Sequence, residues 1–474
     1  MARAKQMSID MTEGPIFGKL LAFALPLMLS GVLQSLYNAA DNLVVGRFAS
    51  EEALAAVGCC GAISHLLVTV FISISVGTSV TVAHAIGARD KERAERLVHT
   101  SMALSLVMGV CVSLIGVVLA RPMLILMQTP AEILDMAVSY LQIYCAGAVF
   151  SIFYNFGAAI LRAAGDSKRP LYYLAISGAV NVILNLIFVI LLGMTADGVA
   201  LATTIAQVLS AVLVFSALLK REDDCRFCPR ALRLCREESR DILKLGIPAA
   251  IQSALFSLSN MTVQSTVNLF DTPGVAGHTA ARQLDDFVWT ATSSVGISSV
   301  TAAGQNLGAR KLSRIPRVVL SCLLVGTMTS VLMGAVVSLS APSLLYLFLP
   351  NGGEAMNYAL IRITVLTTTY FTAAWMDTLS SLIPGLGYSL LPMVVSVFGV
   401  CGIRILWVTT ICPMDPTNFG LIYYCFPVSW VLTSARRSRT GCTMSALSPV
   451  RTAAPSWLPT SPPPRSRVWA CSCS

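Results

Sequence analysis

Charge is what this sequence lacks. Only 12% of its 474 residues are Asp, Glu, Lys or Arg, whereas a soluble domain carries about a quarter. An ordinary water-soluble globule is thereby excluded. Short segments of alternating polar and apolar residues are missing too, which excludes a membrane β-barrel. No Gly-rich loop of the GxxxxGK type followed by Ser or Thr occurs, so direct ATP drive is not expected. Histidine is scarce: His65, His84, His99 and His278 show no ligand spacing and read as packing or surface residues. Of fourteen cysteines, Cys59, Cys111, Cys145, Cys322 and Cys401 are scattered through apolar runs and read as small hydrophobes. Cys225, Cys228 and Cys235 cluster, but a zinc site needs four ligands and no second pair is near. No metal and no cofactor is expected. The first nineteen residues are polar and lack an h-region, so no signal peptide is expected either.

What is present is hydrophobic. Apolar residues make up 55% of the chain and the mean hydropathy is +0.72. Continuous apolar runs of about 20 residues recur, each able to cross roughly 30 Å of hydrocarbon. They predict helices near 20–45, 53–77, 97–120, 132–160, 171–193 and 198–220, then near 244–269, 275–303, 317–340, 355–384 and 391–412, with a final segment from Gly420. The class is an all-α polytopic membrane protein. The net charge of +9 does not point to nucleic acid, because most of it sits in short loops. The segments ending at Lys19 and spanning Arg89–Arg96, Arg162–Arg169, Lys220–Lys244 and Arg310–Arg317 carry 3, 4, 3, 8 and 4 Lys or Arg, while the intervening loops hold only Arg47 and Arg121. By the positive-inside rule the N-terminus and the long central loop are cytoplasmic, in a multi-pass plasma-membrane protein.

The second half copies the first. Pro26 pairs with Pro248, Gly165 with Gly387, Pro170 with Pro392 and Gly198 with Gly420, each at an offset of 222 residues; "GAR" at Gly87–Arg89 returns at Gly308–Arg310. Six spans per unit is an even number, so the units enter from one side and are related by a pseudo-two-fold axis along the membrane normal. The expected organisation is a cytoplasmic segment 1–19, a first six-helix bundle 20–220, a hinge-like connector 221–243, and a second bundle 244–434 whose last helix is short. The tail 435–474 holds six Arg, six Pro, no Lys and no acid, which fits either a shifted reading frame or a disordered basic tail. Two similar bundles around one cleft make a transporter architecture.

Duplication also supplies an internal control. Asn38 pairs with Asn260 and Asn42 with Gln264, so helices 1 and 7 share polar positions. Gln34, Tyr37, Asn38 and Asp41 share one face of helix 1, and Ser253, Ser257, Asn260, Gln264 and Asn268 form a stripe on helix 7. Such stripes either line a cleft or hydrogen-bond helices together. Asp41 differs, because its mate is Val263. Asn181 and Asn185 on helix 5 pair with Ile403 and Trp407, and Thr203 on helix 6 pairs with Cys425. The first bundle thus owns a carboxylate, two amides and a hydroxyl that the second lacks. An ionised Asp at membrane depth costs a few kcal/mol at least, which marks a functional position; oxygens from three helices suit Na⁺ or a protonated carboxyl. Asp285, Asp286 and Asp377 are further intramembrane acids, and Asp285 and Asp377 are taken as cleft residues. Arg162, at the end of helix 4, is expected to snorkel.

The ordered motifs "MTEGPIFGKLLAFALPLMLSGVLQSLYNAADNLVVGRF", "EEALAAVG", "GARD", "LRAAGDSKRPLYY" and "GVALAT" resemble the multidrug and toxic compound extrusion family, over roughly residues 10–434. The resemblance implies secondary antiport: export of organic, often cationic, compounds in exchange for H⁺ or Na⁺, with no enzymatic step. It implies two bundles around a V-shaped cleft. It also implies an ion site in the first bundle, from an Asp on helix 1, an Asn and an Asp on helix 5 and a Thr on helix 6. Asp41, Asn181, Asn185 and Thr203 fall at those places. Substrate contacts are expected at Gln34, Tyr37, Asn38, Asn260, Gln264, Asp285 and Asp377. Asn185 stands where the family often has Asp, and Pro384 where it usually has Arg. The expected partners are a small amphipathic or cationic substrate and the bilayer, with the chain acting as a monomer. A flippase for a lipid-linked precursor is the alternative; it calls for a strongly basic cleft, and only Arg282, Arg362 and Arg404 lie within helices. A non-transporting receptor or scaffold has no need of paired bundles.

Overall fold

The computed structural model describes residues 8–48, 51–127, 129–349, 352–415 and 417–442. Among them, twelve long helices follow one another. The first bundle holds α1 (Ile16–Phe48), α2 (Glu51–Gly87), α3 (Lys91–Leu126), α4 (Ala131–Ala163), α5 (Lys168–Leu186, continued by a π turn at Ile187–Leu191) and α6 (Ala196–Leu219). The second holds α7 (Arg236–Val267), α8 (Asp271–Gly308), α9 (Ile315–Phe348), α10 (Gly353–Gly385), α11 (Leu390–Ser396, a π turn at Val397–Gly402, then Ile403–Thr410) and α12 (Phe419–Cys442). No strand occurs among the described residues. Helices dominate because hydrocarbon offers the backbone no hydrogen-bond partner outside the segment itself.

Among the described residues, nine of the twelve are long and apolar enough to cross a membrane by length and composition. The other three, α8, α10 and α12, are diluted by polar side chains. α12 continues to Cys442, beyond the end near 434 that its hydropathy suggests. Ala and Arg are good helix formers, so Ala435 and Arg436 extend the helix although they end the apolar run. Residues 443–474, most of the atypical tail, lie outside the described residues.

The bundles meet at the end that carries the N-terminus. Arg93 pairs with Asp241 at 2.9 Å and Arg96 with Glu238 at 2.7 Å, joining α3 to α7. His84 Nε2 lies 2.8 Å from the Gly385 carbonyl oxygen, and Gln305 Nε2 donates to the Ala163 carbonyl at 2.8 Å. The two GAR turns cross here. A Cβ on Gly87 would strike the Gln305 carbonyl and the Ala309 amide; a Cβ on Gly308 would strike the His84 carbonyl and the Ala88 amide. Each contact is the other's repeat image. The following arginines, Arg89 and Arg310, both adopt left-handed backbone, at φ 55° and 54°. Gly87→Val or Gly308→Val is therefore expected to push α2 from α8, read as faster deuterium exchange across 84–90 and 304–311. Unchanged exchange would mean that the crossing does not hold this end shut.

The connector is not a free hinge. Phe227 packs between Phe215 and His99, with ring centroids 5.7 and 5.4 Å away, and the Cys228 amide donates to His99 Nε2 at 3.0 Å. That leaves the His99 Nδ1 proton for the Glu95 carbonyl at 2.7 Å. Burial opposes ionisation of Asp223, but the Arg221 guanidinium outweighs it and holds this carboxyl below the usual range. Arg162 does not snorkel freely: its Nε is buried without a hydrogen-bond partner.

Candidate functional site

The polar stripe of α1 divides into two. Gln34 and Asn38 line the cleft between the bundles. Tyr37 and Asp41 turn instead toward α5. The Tyr37 hydroxyl donates to the Ala175 carbonyl at 3.1 Å, and its ring lies so close to Gly178 that any Cβ there would overlap it. Tyr37 thus packs α1 against α5 and is not part of the described cleft lining. The stripe spans a wide arc, so its two edges reach different neighbours.

Asp41 meets the constellation expected from the repeat comparison. The Asn185 amide donates to the Asp41 carboxylate. It also lies 3.5 Å from Asn181 Oδ1, and Asn181 Nδ2 donates to Thr203 Oγ1 at 3.3 Å. Helices α1, α5 and α6 therefore bring all four residues into one continuous chain. Asn181 and Asn185 are buried, one turn apart on α5. The Asn185 Oδ1 atom is buried and accepts no hydrogen bond. A buried acceptor without a partner beside a carboxylate is an oxygen open to a ligand. Tyr140 and Tyr144 stack on one another on α4, their ring centroids 6.3 Å apart.

The cleft encloses about 520 Å³. The first bundle lines it with uncharged groups: Gly31, Gln34, Ser35 and Asn38. The second bundle lines it with Asn260 and Gln264 and also with Arg282, Arg362 and Arg404. Asp285 is buried in an ion pair, its Oδ2 2.8 Å from Arg362 Nε. Arg362 further meets the His278 ring at 3.0 Å and lies 5.3 Å above the Tyr423 ring, while His278 Nδ1 is 2.8 Å from the Tyr423 hydroxyl. His278 is buried and stacked on Tyr423, a packing residue as expected, and it also belongs to the cleft lining. Asp377 is not part of the described lining; its carboxylate lies against Gly296 and near Ser381. A second groove, of about 570 Å³, lies at the start of α7 among Arg236, Arg240 and Lys244. It is lined by one bundle and stands apart from both sites.

Sequence reasoning passed over Tyr140 and counted Arg362 and Arg404 only as too few to make a basic cleft. A signal existed: the repeat comparison searched for charge that the second bundle lacks, not for charge it gained. Arg362 pairs with Tyr140 and Arg404 with Val182.

Two six-helix bundles closed at one end around a polar cleft define a membrane transporter of small molecules. The MatE family model matches this chain twice, over residues 26–187 and again over 248–409, the same 222-residue step that relates the paired positions. The chain belongs to this family of multidrug and toxic compound extrusion transporters, which are not enzymes. A probable multidrug resistance protein, YoeA, of Bacillus subtilis (strain 168) is 29% identical over 397 residues, 81% of this chain and 84% of that protein. The probable multidrug resistance protein NorM of Thermotoga maritima is 23% identical over 394 residues, 82% of this chain and 84% of its own. The solved outward-facing structure of a multidrug resistance MATE transporter superimposes with a TM-score of 0.87 at 23% identity, covering 93% of this chain and 99% of that one.

Proposed function

We propose that this chain is a secondary active antiporter that exports small amphipathic organic compounds in exchange for H⁺ or Na⁺. The observation that carries the reading is the Asp41–Asn185–Asn181–Thr203 chain with its open acceptor. One carboxylate gives the site one formal negative charge, which suits one monovalent ion. Asp41 sits directly behind Asn38, a cleft residue, so ion occupancy and the cleft wall belong to one helix. With the N-terminus cytoplasmic, the closed end faces the cell interior and the cleft opens outward. Ion binding at Asp41 would then shift α1 against α5 and release substrate, and the return of the bundles would carry the ion inward. A ligand moves such an equilibrium only through its differential affinity for the two states, and a charge placed in a desolvated site supplies that difference.

The test is flux from proteoliposomes loaded with anionic and cationic fluorescent dyes. An opposing pH or Na⁺ gradient is expected to accelerate efflux of at least one dye, and collapse of that gradient to remove the acceleration. Efflux indifferent to both gradients would sink the antiport reading.

A further inference from the structure

We infer that the second bundle holds an anion subsite, centred on Arg404, for the carboxylate or phosphate of a planar organic substrate. The inference rests on the cleft being the substrate path.

Arg404 is buried, yet it lines the cleft. Its Nη1 donates to Asn260 Oδ1 at 2.9 Å and its Nε lies 3.4 Å from Ser429 Oγ. Its guanidinium rests 4.2 Å above the Phe426 ring. Among the described residues no carboxylate lies within 4.0 Å of it. A guanidinium held only by an amide, a hydroxyl and a ring keeps donors free for a ligand. Arg is suited to this task, since its planar fork takes carboxylate or phosphate oxygens in pairs.

The surroundings agree. The other buried cation of the cleft, Arg362, is neutralised by Asp285. Arg282 and Asp286, four residues apart on α8, offset one another in formal charge. Arg404 therefore leaves the described lining with net positive charge, and the first bundle's wall contributes none to oppose it. Trp289, Phe256 and Trp430 line the same cleft, giving planar apolar bodies a surface on which to stack. Backbone geometry points the same way: the π turn Val397–Gly402 ends just before Arg404. Such an insertion resets the register of the helix beyond it and is common at binding sites.

The charges of the two bundles are then complementary in role. An acid in the first receives the coupling cation, and a base in the second receives the substrate anion. Each ligand then has its own site, and the two are exchanged in turn without either site meeting the other's ligand.

Fluorescein, a planar anion, and rhodamine 6G, a cation on the same ring system, form a matched pair of probes. Fluorescence polarisation with the purified full chain is expected to show tighter binding of fluorescein. Arg404→Gln should weaken fluorescein binding at least about tenfold, the scale on which one charge-assisted hydrogen-bond pair acts. Arg404→Lys should restore part of it, and rhodamine 6G binding should not fall in either variant. Tighter wild-type binding of rhodamine 6G, or equal loss of both dyes in Arg404→Gln and Arg404→Lys, would overturn the subsite. So would displacement of fluorescein by a short-chain phosphatidate but not by 2-naphthoate, which would move the site from soluble anions to lipid headgroups. Binding is read at equilibrium without any ion gradient. A failure of gradient-driven exchange therefore leaves this result standing, and the reverse holds as well.

Discussion

Asp41→Asn is expected to cut ion-driven dye exchange to the level of protein-free liposomes while leaving the purified protein folded. The substitution keeps the size of the side chain and keeps an oxygen that accepts from Asn185. What it removes is the negative charge, and with it the means to hold either a hydron or Na⁺. A neutral hydrogen bond contributes only about 0.5–1.5 kcal/mol to stability, so the melting curve should move little. Exchange that persists at wild-type rate under both pH and Na⁺ gradients would show that the driving ion binds elsewhere. A variant that loses exchange and unfolds together would point instead to a structural carboxylate.

The second large effect belongs to the buried pair Arg362–Asp285. Arg362→Leu strands a carboxylate whose side chain is 3% exposed and whose Oδ1 already lacks a partner. Breaking a buried pair from one side costs about 3–5 kcal/mol, so thermal unfolding in detergent should shift markedly downward. The double change Arg362→Leu with Asp285→Leu removes both charges, and replacement of a buried pair by apolar groups is often near neutral. Its stability should recover toward wild type, giving a strong coupling in a double-mutant cycle. If the single variant melts with wild type, the pair is solvated through the cleft and does not hold α8 to α10.

The twelve helices and the repeat were legible because both are written in local chemistry. Long apolar runs need no tertiary context, and a fixed 222-residue offset survives as matched Pro and Gly positions. The Asp41 constellation was legible for a related reason: three helices lost polar residues in one copy and kept them in the other. The basic half of the cleft was not. Arg282, Arg362 and Arg404 are far apart in the chain, and each alone looks like a stray charge in a helix. Only packing of α8, α10 and α11 collects them in one lining. Weighing three arginines by number rather than by place hid a concentrated charge. The fine aim of side chains was also beyond the pattern. Tyr37 and Asp41 share a stripe with Gln34 and Asn38, but α5 claims one edge and the cleft the other. Asp377 likewise turns to Gly296, because a missing Cβ on the facing helix makes room for it.

The crossing of Gly87 and Gly308 has a consequence for assembly. Each glycine presses on the carbonyl and amide that precede and follow its counterpart, so the contact is self-complementary in the way a symmetric dimer interface is. A surface of that kind needs no covalent link to find its partner. Two unlinked six-helix polypeptides bearing the same turn would present matching surfaces to one another there, so the seam's shape does not depend on the covalent connector.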